Sequence, residues 1–334
     1  MKILYIGNKL ANSGKTPTSI ETLGNYLISE GYELKRYSDK TNQLYRLIHM
    51  IFGTFKNLNA KYVIIDTYST SAYWYAVIIA QLCRLFKIKY ITCLRGGDLP
   101  NRLDKNPKVA QMIFNHSYYN VAPSGYLKHE FEKRGFKNLC FIPNTIELKN
   151  YTFSQREIVT PKILWVRSFA ELYNPKLAID VLVQIQKKYP NAQLCMVGPE
   201  KDGSLNATQE YAKQNGVEVL FTGKMEKKDW ISLSKNYNIF LNTTNFDNTP
   251  VSVMEAMALG LPVVSTNVGG LPYLIESGKD GFLVEPNNVD QMTEVIETLI
   301  NDTDICKQVC INARAKAESW DWQQVKNKWN SLLS

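Results

Sequence analysis

The chain has 334 residues, of which 45% are hydrophobic and 21% charged. That length suits two domains, and the composition excludes a generally disordered chain. A net charge of +8 admits an anionic partner such as a phosphorylated substrate, an anionic membrane surface or nucleic acid. The cations are scattered, with pairs at 187–188 and 227–228 and no longer run, so a solvated surface is the default reading.

Met1-Lys2 leads straight into a strand-like run, so no secretory signal is expected. Lys2 to Ile6, Tyr62 to Asp66, Lys89 to Leu94, Asn120 to Pro123 and Leu139 to Pro143 read as strands. Helical runs lie at Ile20 to Glu30 and near 41–56, 71–86, 106–116 and 125–134. The apolar stretch Tyr73 to Phe86 is broken by Gln81 and Arg84 and is too short to span a bilayer. Polar, aperiodic Lys149 to Pro161 reads as a linker, dividing residues 1–150 from 151–334. Strands then recur at Ile163 to Val166, Gln193 to Val197, Glu218 to Thr222, Ile239 to Asn242, Val263 to Ser265 and Gly281 to Val284. The alternation in both halves predicts two doubly wound α/β domains, with ligands at the carboxyl ends of the strands.

Several loops at those ends carry candidate chemistry. Ser13-Gly14-Lys15-Thr16 follows the first strand, but the glycine spacing of a P-loop is lacking. Gly14 would let backbone approach a ligand, or simply make a turn. In Arg95-Gly96-Gly97-Asp98, Asp98 could orient a hydroxyl or act as a base, or it could pair with Arg95 as a structural clip. Arg167 ends a strand and suits a diphosphate. Lys176 could add charge or merely sit on the surface. Gly269-Gly270 reads as a ligand wall or a turn.

The most informative stretch is Phe246 to Gly260, FDNTPVSVMEAMALG. Thr249 is expected to cap a helix whose first position is Pro250 and which ends at Gly260. Its free backbone N–H groups at Val251 and Ser252 attract phosphate. Glu255, on an otherwise apolar helix, needs hydrogen-bond donors, which sugar hydroxyls would supply. The three His and the six Cys form no recognisable metal or nucleophile pattern. Reduced, buried thiols in a cytoplasmic protein are expected. No basic–aromatic module points to nucleic acid.

The run D-N-T-P-V-S-V-M-E-A-M-A-L-G-L-P-V-V-S-T, then V-G-G-L-P and D-G-F-L-V, resembles the signature of retaining glycosyltransferases of family 4. I-P-N-T-I-E at 142–147 and the S-W-D-W tail at 319–322 resemble the family more loosely. The resemblance implies the GT-B fold, with two facing Rossmann-like domains, a central cleft and a last helix crossing back. It implies a UDP- or GDP-sugar donor held mainly by the second domain, with no metal or other cofactor required. Glu255 would hold the ribose. Asp247 would hold the donor sugar, helped by Asn248, Thr249, Pro250, Val251 and Ser252. Arg167 and Lys176 would stabilise the leaving diphosphate. The acceptor would be a glycan or lipid-linked glycan hydroxyl, as in polysaccharide biosynthesis. Gly14, Arg95, Gly97, Asp98, Gly269 and Gly270 would complete the site. The chain departs from the family in Asp247 for Glu, in Arg95 for His, and in the basic residue after Arg167, whose place Asn174 would take in lieu of Lys176. A catalytically weak binding homologue or a GT-B epimerase are the alternatives. Apolar helices at 44–54 and 73–86 suit either core packing or peripheral contact with the inner membrane face.

Overall fold

The computed structural model describes residues 1–11 and 17–334, so Gly14 and its loop lie outside the described residues. The chain divides into two compact units, residues 1–143 with 327–334, and residues 144–326.

Unit 1 alternates β1 (Lys2–Ile6), α1 (Ser19–Ser29), β2 (Glu33–Tyr37), α2 (Gln43–Lys56), β3 (Tyr62–Thr67), α3 (Tyr73–Leu85) and β4 (Lys89–Leu94). It continues through α4 (Leu99–Lys105), α5 (Pro107–Phe114), β5 (Tyr119–Ala122), α6 (Gly125–Lys133) and β6 (Leu139–Phe141). The six strands pair in parallel in the order β2-β1-β3-β4-β5-β6. β3 is buried along its whole length, as an apolar run flanked by helices on both faces requires. β2, with the sequence ELKRY, is an edge strand missed in the sequence because its charges hide the alternation. α4 is also an addition; a seven-residue helix with Pro at its start has too few turns to show a period.

Unit 2 holds β7 (Lys162–Val166), α7 (Pro175–Gln186), β8 (Gln193–Val197), α8 (Ser204–Gln214), β9 (Val219–Gly223), α9 (Lys227–Leu233) and β10 (Ile239–Asn242). After them come α10 (Val251–Leu259), β11 (Val263–Thr266), α11 (Leu271–Leu274), β12 (Phe282–Val284), α12 (Val289–Asn301) and α13 (Thr303–Glu318). α14 (Trp322–Leu333) begins in this unit, and its residues from 327 on belong to unit 1. The parallel order is β12-β11-β10-β7-β8-β9, the strand order of a dinucleotide-type doubly wound sheet. Both units are thus Rossmann-like. The order reverses between β7 and β10, so the crevice at their carboxyl ends is where such a fold binds ligands. In unit 1 the equivalent point lies between β1 and β3.

Candidate functional site

The switch point of unit 2 is framed by two segments, Arg167 after β7 and the loop from Thr243 to Pro250 between β10 and α10. α10 is apolar on every side, and all its residues except Val251 are buried. Its amino end is set by Pro250, which occupies the N-cap and not the first helical position. The expected cap by Thr249 is not made: its hydroxyl is buried without a hydrogen-bond partner. Gly260 closes the helix at φ 77°, where a side chain would also strike the carbonyl of Ser154.

The loop is held from below by glycine. A Cβ on Gly270 would collide with the Asn248 carbonyl, and the Gly270 N–H donates to the Asp247 carbonyl at 2.8 Å. Gly269 takes φ 54° against the same Asp247 carbonyl. The two glycines therefore let the β11–α11 turn seat the loop that carries Asp247.

Arg167 and Asp247 form an ion pair across the switch point. The Arg167 guanidinium also lies 4.3 Å from the centre of the Tyr173 ring. Burial pulls its pKa below the ordinary value, with Tyr173 acting against that shift. Tyr173 is fixed in turn, because the Thr243 hydroxyl donates to its carbonyl at 2.9 Å and accepts from the Trp165 indole N–H at 3.0 Å. Four buried polar atoms here lack hydrogen-bond partners: Arg167 Nε, Thr249 Oγ1, Ser252 Oγ and Asp247 Oδ2, the last of which is met by the Arg167 guanidinium as an ion pair. Buried polar groups are satisfied as a rule, so their convergence beside an open helix amino end marks a place built for a polar ligand. An anion is favoured by the helix dipole and by the guanidinium.

Glu255 lies deeper in α10, 4% exposed. One of its oxygens accepts from the Tyr151 hydroxyl at 2.6 Å and meets the Lys227 ammonium at the same distance. Neither partner was legible in the sequence. Tyr151 stands 104 residues away, and Lys227 belongs to a lysine pair read there as plain solvated surface. Arg314 of α13 donates to the carbonyls of Tyr151 and Ala258, at 2.7 and 2.8 Å, and so ties Tyr151 to the end of α10.

Lys176 is not brought to this site; it is exposed and lies over the Tyr211 ring at 5.3 Å. Asn174, in the left-handed region at φ 46°, donates from its side chain to Asn287. A second cation does approach: Lys201 lies 5.8 Å from the centre of the same Tyr173 ring that Arg167 covers. Its signal was its position in the loop after β8, another strand carboxyl end.

In unit 1, Arg95 does not clip Asp98. It donates to the buried carboxylate of Asp66 at 3.1 Å, which also accepts from the Tyr5 hydroxyl at 3.1 Å. Burial raises the Asp66 pKa against the pull of Arg95. Asp98 is exposed at the start of α4 and accepts from Asn101, while Gly97 lies in the turn before it. Gly96 leaves room for Ser69. Among the described residues, no group of three or more His, Cys, Asp or Glu is placed to hold a metal ion.

Several known proteins are similar to this chain. Sulfoquinovosyl transferase SQD2 of Arabidopsis thaliana is 27% identical over 154 residues, covering 45% of this chain and 29% of that protein. The capsular polysaccharide biosynthesis glycosyltransferase CapM of Staphylococcus aureus is 30% identical over 156 residues, covering 45% and 40%. The matched stretch thus spans less than half the length of either relative. The crystal structure of Anabaena HepE in complex with UDP and glucose superposes with a TM-score of 0.78 at 19% identity, covering 100% of this chain and 99% of that one. Such a likeness speaks for the fold alone. Residues 153–316, which contain the Arg167–Asp247 pair, α10 and Glu255, match the family model of glycosyl transferases group 1.

Proposed function

We propose that this protein is a retaining glycosyltransferase of family 4 that uses a nucleotide-diphosphate sugar, UDP- or GDP-linked, and a glycan or lipid-linked glycan hydroxyl as acceptor. The observation that carries the reading is the convergence of Arg167, the open end of α10 and the unsatisfied Thr249 and Ser252 hydroxyls at the switch point of a Rossmann-like sheet. The match to the group 1 family and the named relatives support it.

In this reading the diphosphate lies against the amino end of α10 and Arg167. As the bond from the sugar carbon to the diphosphate oxygen breaks, negative charge grows on the leaving phosphates. Preorganised N–H groups and the guanidinium stabilise that charge. Glu255 accepts from the ribose hydroxyls. The Lys227 ammonium and the Tyr151 hydroxyl meet the same carboxylate. Asp247 faces the donor sugar with its carboxylate and orients Arg167. Lys201, in place of Lys176, is the second cation of the phosphate site. Gly269 and Gly270 act by seating the loop. In unit 1, Asp66, Arg95, Gly97 and Asp98 stand on the acceptor side, Asp98 being the exposed carboxylate among them.

The test is to incubate the protein with a panel of UDP- and GDP-sugars, with and without oligosaccharide acceptors, and to follow nucleoside diphosphate release and the anomeric form of the product. Release with one donor, and a product that keeps the donor's anomeric configuration, is the expected result. Tight donor binding without release under any acceptor would instead give a binding homologue.

A further inference from the structure

We propose that the outer face of α2 in unit 1, continued by the end of α3, docks on a bilayer that carries anionic lipid. α2 turns Met50, Gly53 and Thr54 inward, as a core helix should. Its other side is not polar. Leu44, Tyr45, Ile48, Phe52 and Phe55 are 48–65% exposed. At 3.6 residues per turn these five share an arc of about 100° along the whole helix. Phe55 packs edge-to-face on exposed Phe86 at 5.4 Å, and the neighbouring Leu85 is 71% exposed, so the apolar surface runs on past α2. A shallow cavity of about 410 Å³ lies on this face, lined by Tyr45, Ile48, Phe52 and Lys40 among others. Scattered apolar residues on a surface call for no explanation, but a continuous stripe of this kind marks an interaction site.

Charge selects the occupant. From residue 40 to residue 97 the chain has eight Lys and Arg and a single carboxylate, Asp66, which is buried against Arg95. Lys40, Lys56 and Lys87 are exposed beside the stripe, and the Lys56 ammonium sits 5.9 Å over the Phe52 ring. The nearest exposed carboxylate, Asp39, is paired with Lys40 and lies 3.5 Å from His49. A second copy of this face would bring like charges together. An anionic headgroup layer over acyl chains matches both features: aromatic and aliphatic side chains enter the interface while lysine stems reach up to the phosphates. No helix among the described residues is long and apolar enough to cross a membrane, so the contact is one of lying on the surface.

The test is flotation of the full chain with phosphatidylcholine vesicles, with and without phosphatidylglycerol, in low and high salt. Binding to the anionic vesicles, weakened by salt, is expected. Replacing Lys40, Lys56 and Lys87 together by Gln should lower the partition coefficient on the order of a hundredfold. The pair Ile48→Gln and Phe52→Gln should lower binding at least tenfold while the melting temperature stays near that of the parent, since both side chains already face solvent. Absence of binding by the parent, equal binding by either variant, or a concentration-dependent dimer that the same substitutions dissolve would overturn the proposal. Vesicle binding is read without donor or acceptor, so failure here is distinct from failure of the transferase reading.

Discussion

Arg167 is the residue on which the proposed phosphate site turns. It is paired with Asp247, stacked on Tyr173, and still has an unsatisfied Nε. Loss of a charged hydrogen bond costs about 1.5–3 kcal/mol, so Arg167→Ala should lower turnover roughly tenfold to a hundredfold. Steady-state rates with a saturating acceptor check this; near-parental turnover would remove Arg167 from the reaction. Glu255→Ala should weaken donor affinity, measured by calorimetry, and leave Lys227 and Tyr151 without their shared acceptor. Asp247→Glu, which restores the family's residue, should keep activity. Because the cationic side chains and the helix end meet the diphosphate charge in this reading, a chelator should leave the rate unchanged. Loss of activity restored by added Mg²⁺ would refute that point. Buried Cys83 and Cys93, whose thiols burial pushes up to about 12, should stay protonated and resist alkylation at mildly alkaline pH until the chain is unfolded.

At the scale of elements, α10 and the loop before it depend on close backbone contact. Gly270→Ala would push a methyl group into the Asn248 carbonyl, and overpacking of that kind costs about 1–3 kcal/mol. The expected outcome is a lower melting temperature together with weaker donor binding, because the same loop carries Asp247. A variant with both properties intact would show that the loop has slack. Elements of this sort were legible in the sequence where pattern and punctuation agreed. β3, β4 and β8 announced themselves as short apolar runs, and α10 by Pro250 and Gly260. β2 did not, because a charged edge strand looks like a loop. The helix cap was misassigned because Thr249 is the better capping residue by type, while the backbone places Pro250 there. Side chains that reach a site from remote segments, such as Tyr151, Lys201 and Lys227, leave no local period to read. Arg167 and Asp247 could be picked out because each follows a strand's carboxyl end, and Glu255 because it is a carboxylate on an otherwise apolar helix.

On the scale of the molecule, the two sheets differ in strand order. The sheet of unit 2 reverses at β7 and β10, beside the candidate donor site, and the sheet of unit 1 reverses at β1 and β3, beside Asp66 and Arg95. A charge of +8 on the chain is concentrated in the first unit between residues 40 and 97, where the apolar stripe also lies. A thermal-shift screen with nucleoside diphosphates should raise the melting temperature, since a ligand that binds the folded state alone adds to its stability. No shift with any base would contradict donor binding.

Trp165, 1% exposed within β7, is joined through the Thr243 hydroxyl to the Tyr173 backbone, and the Tyr173 ring carries Arg167. An indole wired in this way to the proposed phosphate site is a built-in optical probe. Titrating UDP or GDP should therefore change the emission of this tryptophan, and Trp165→Phe should silence that response without abolishing affinity.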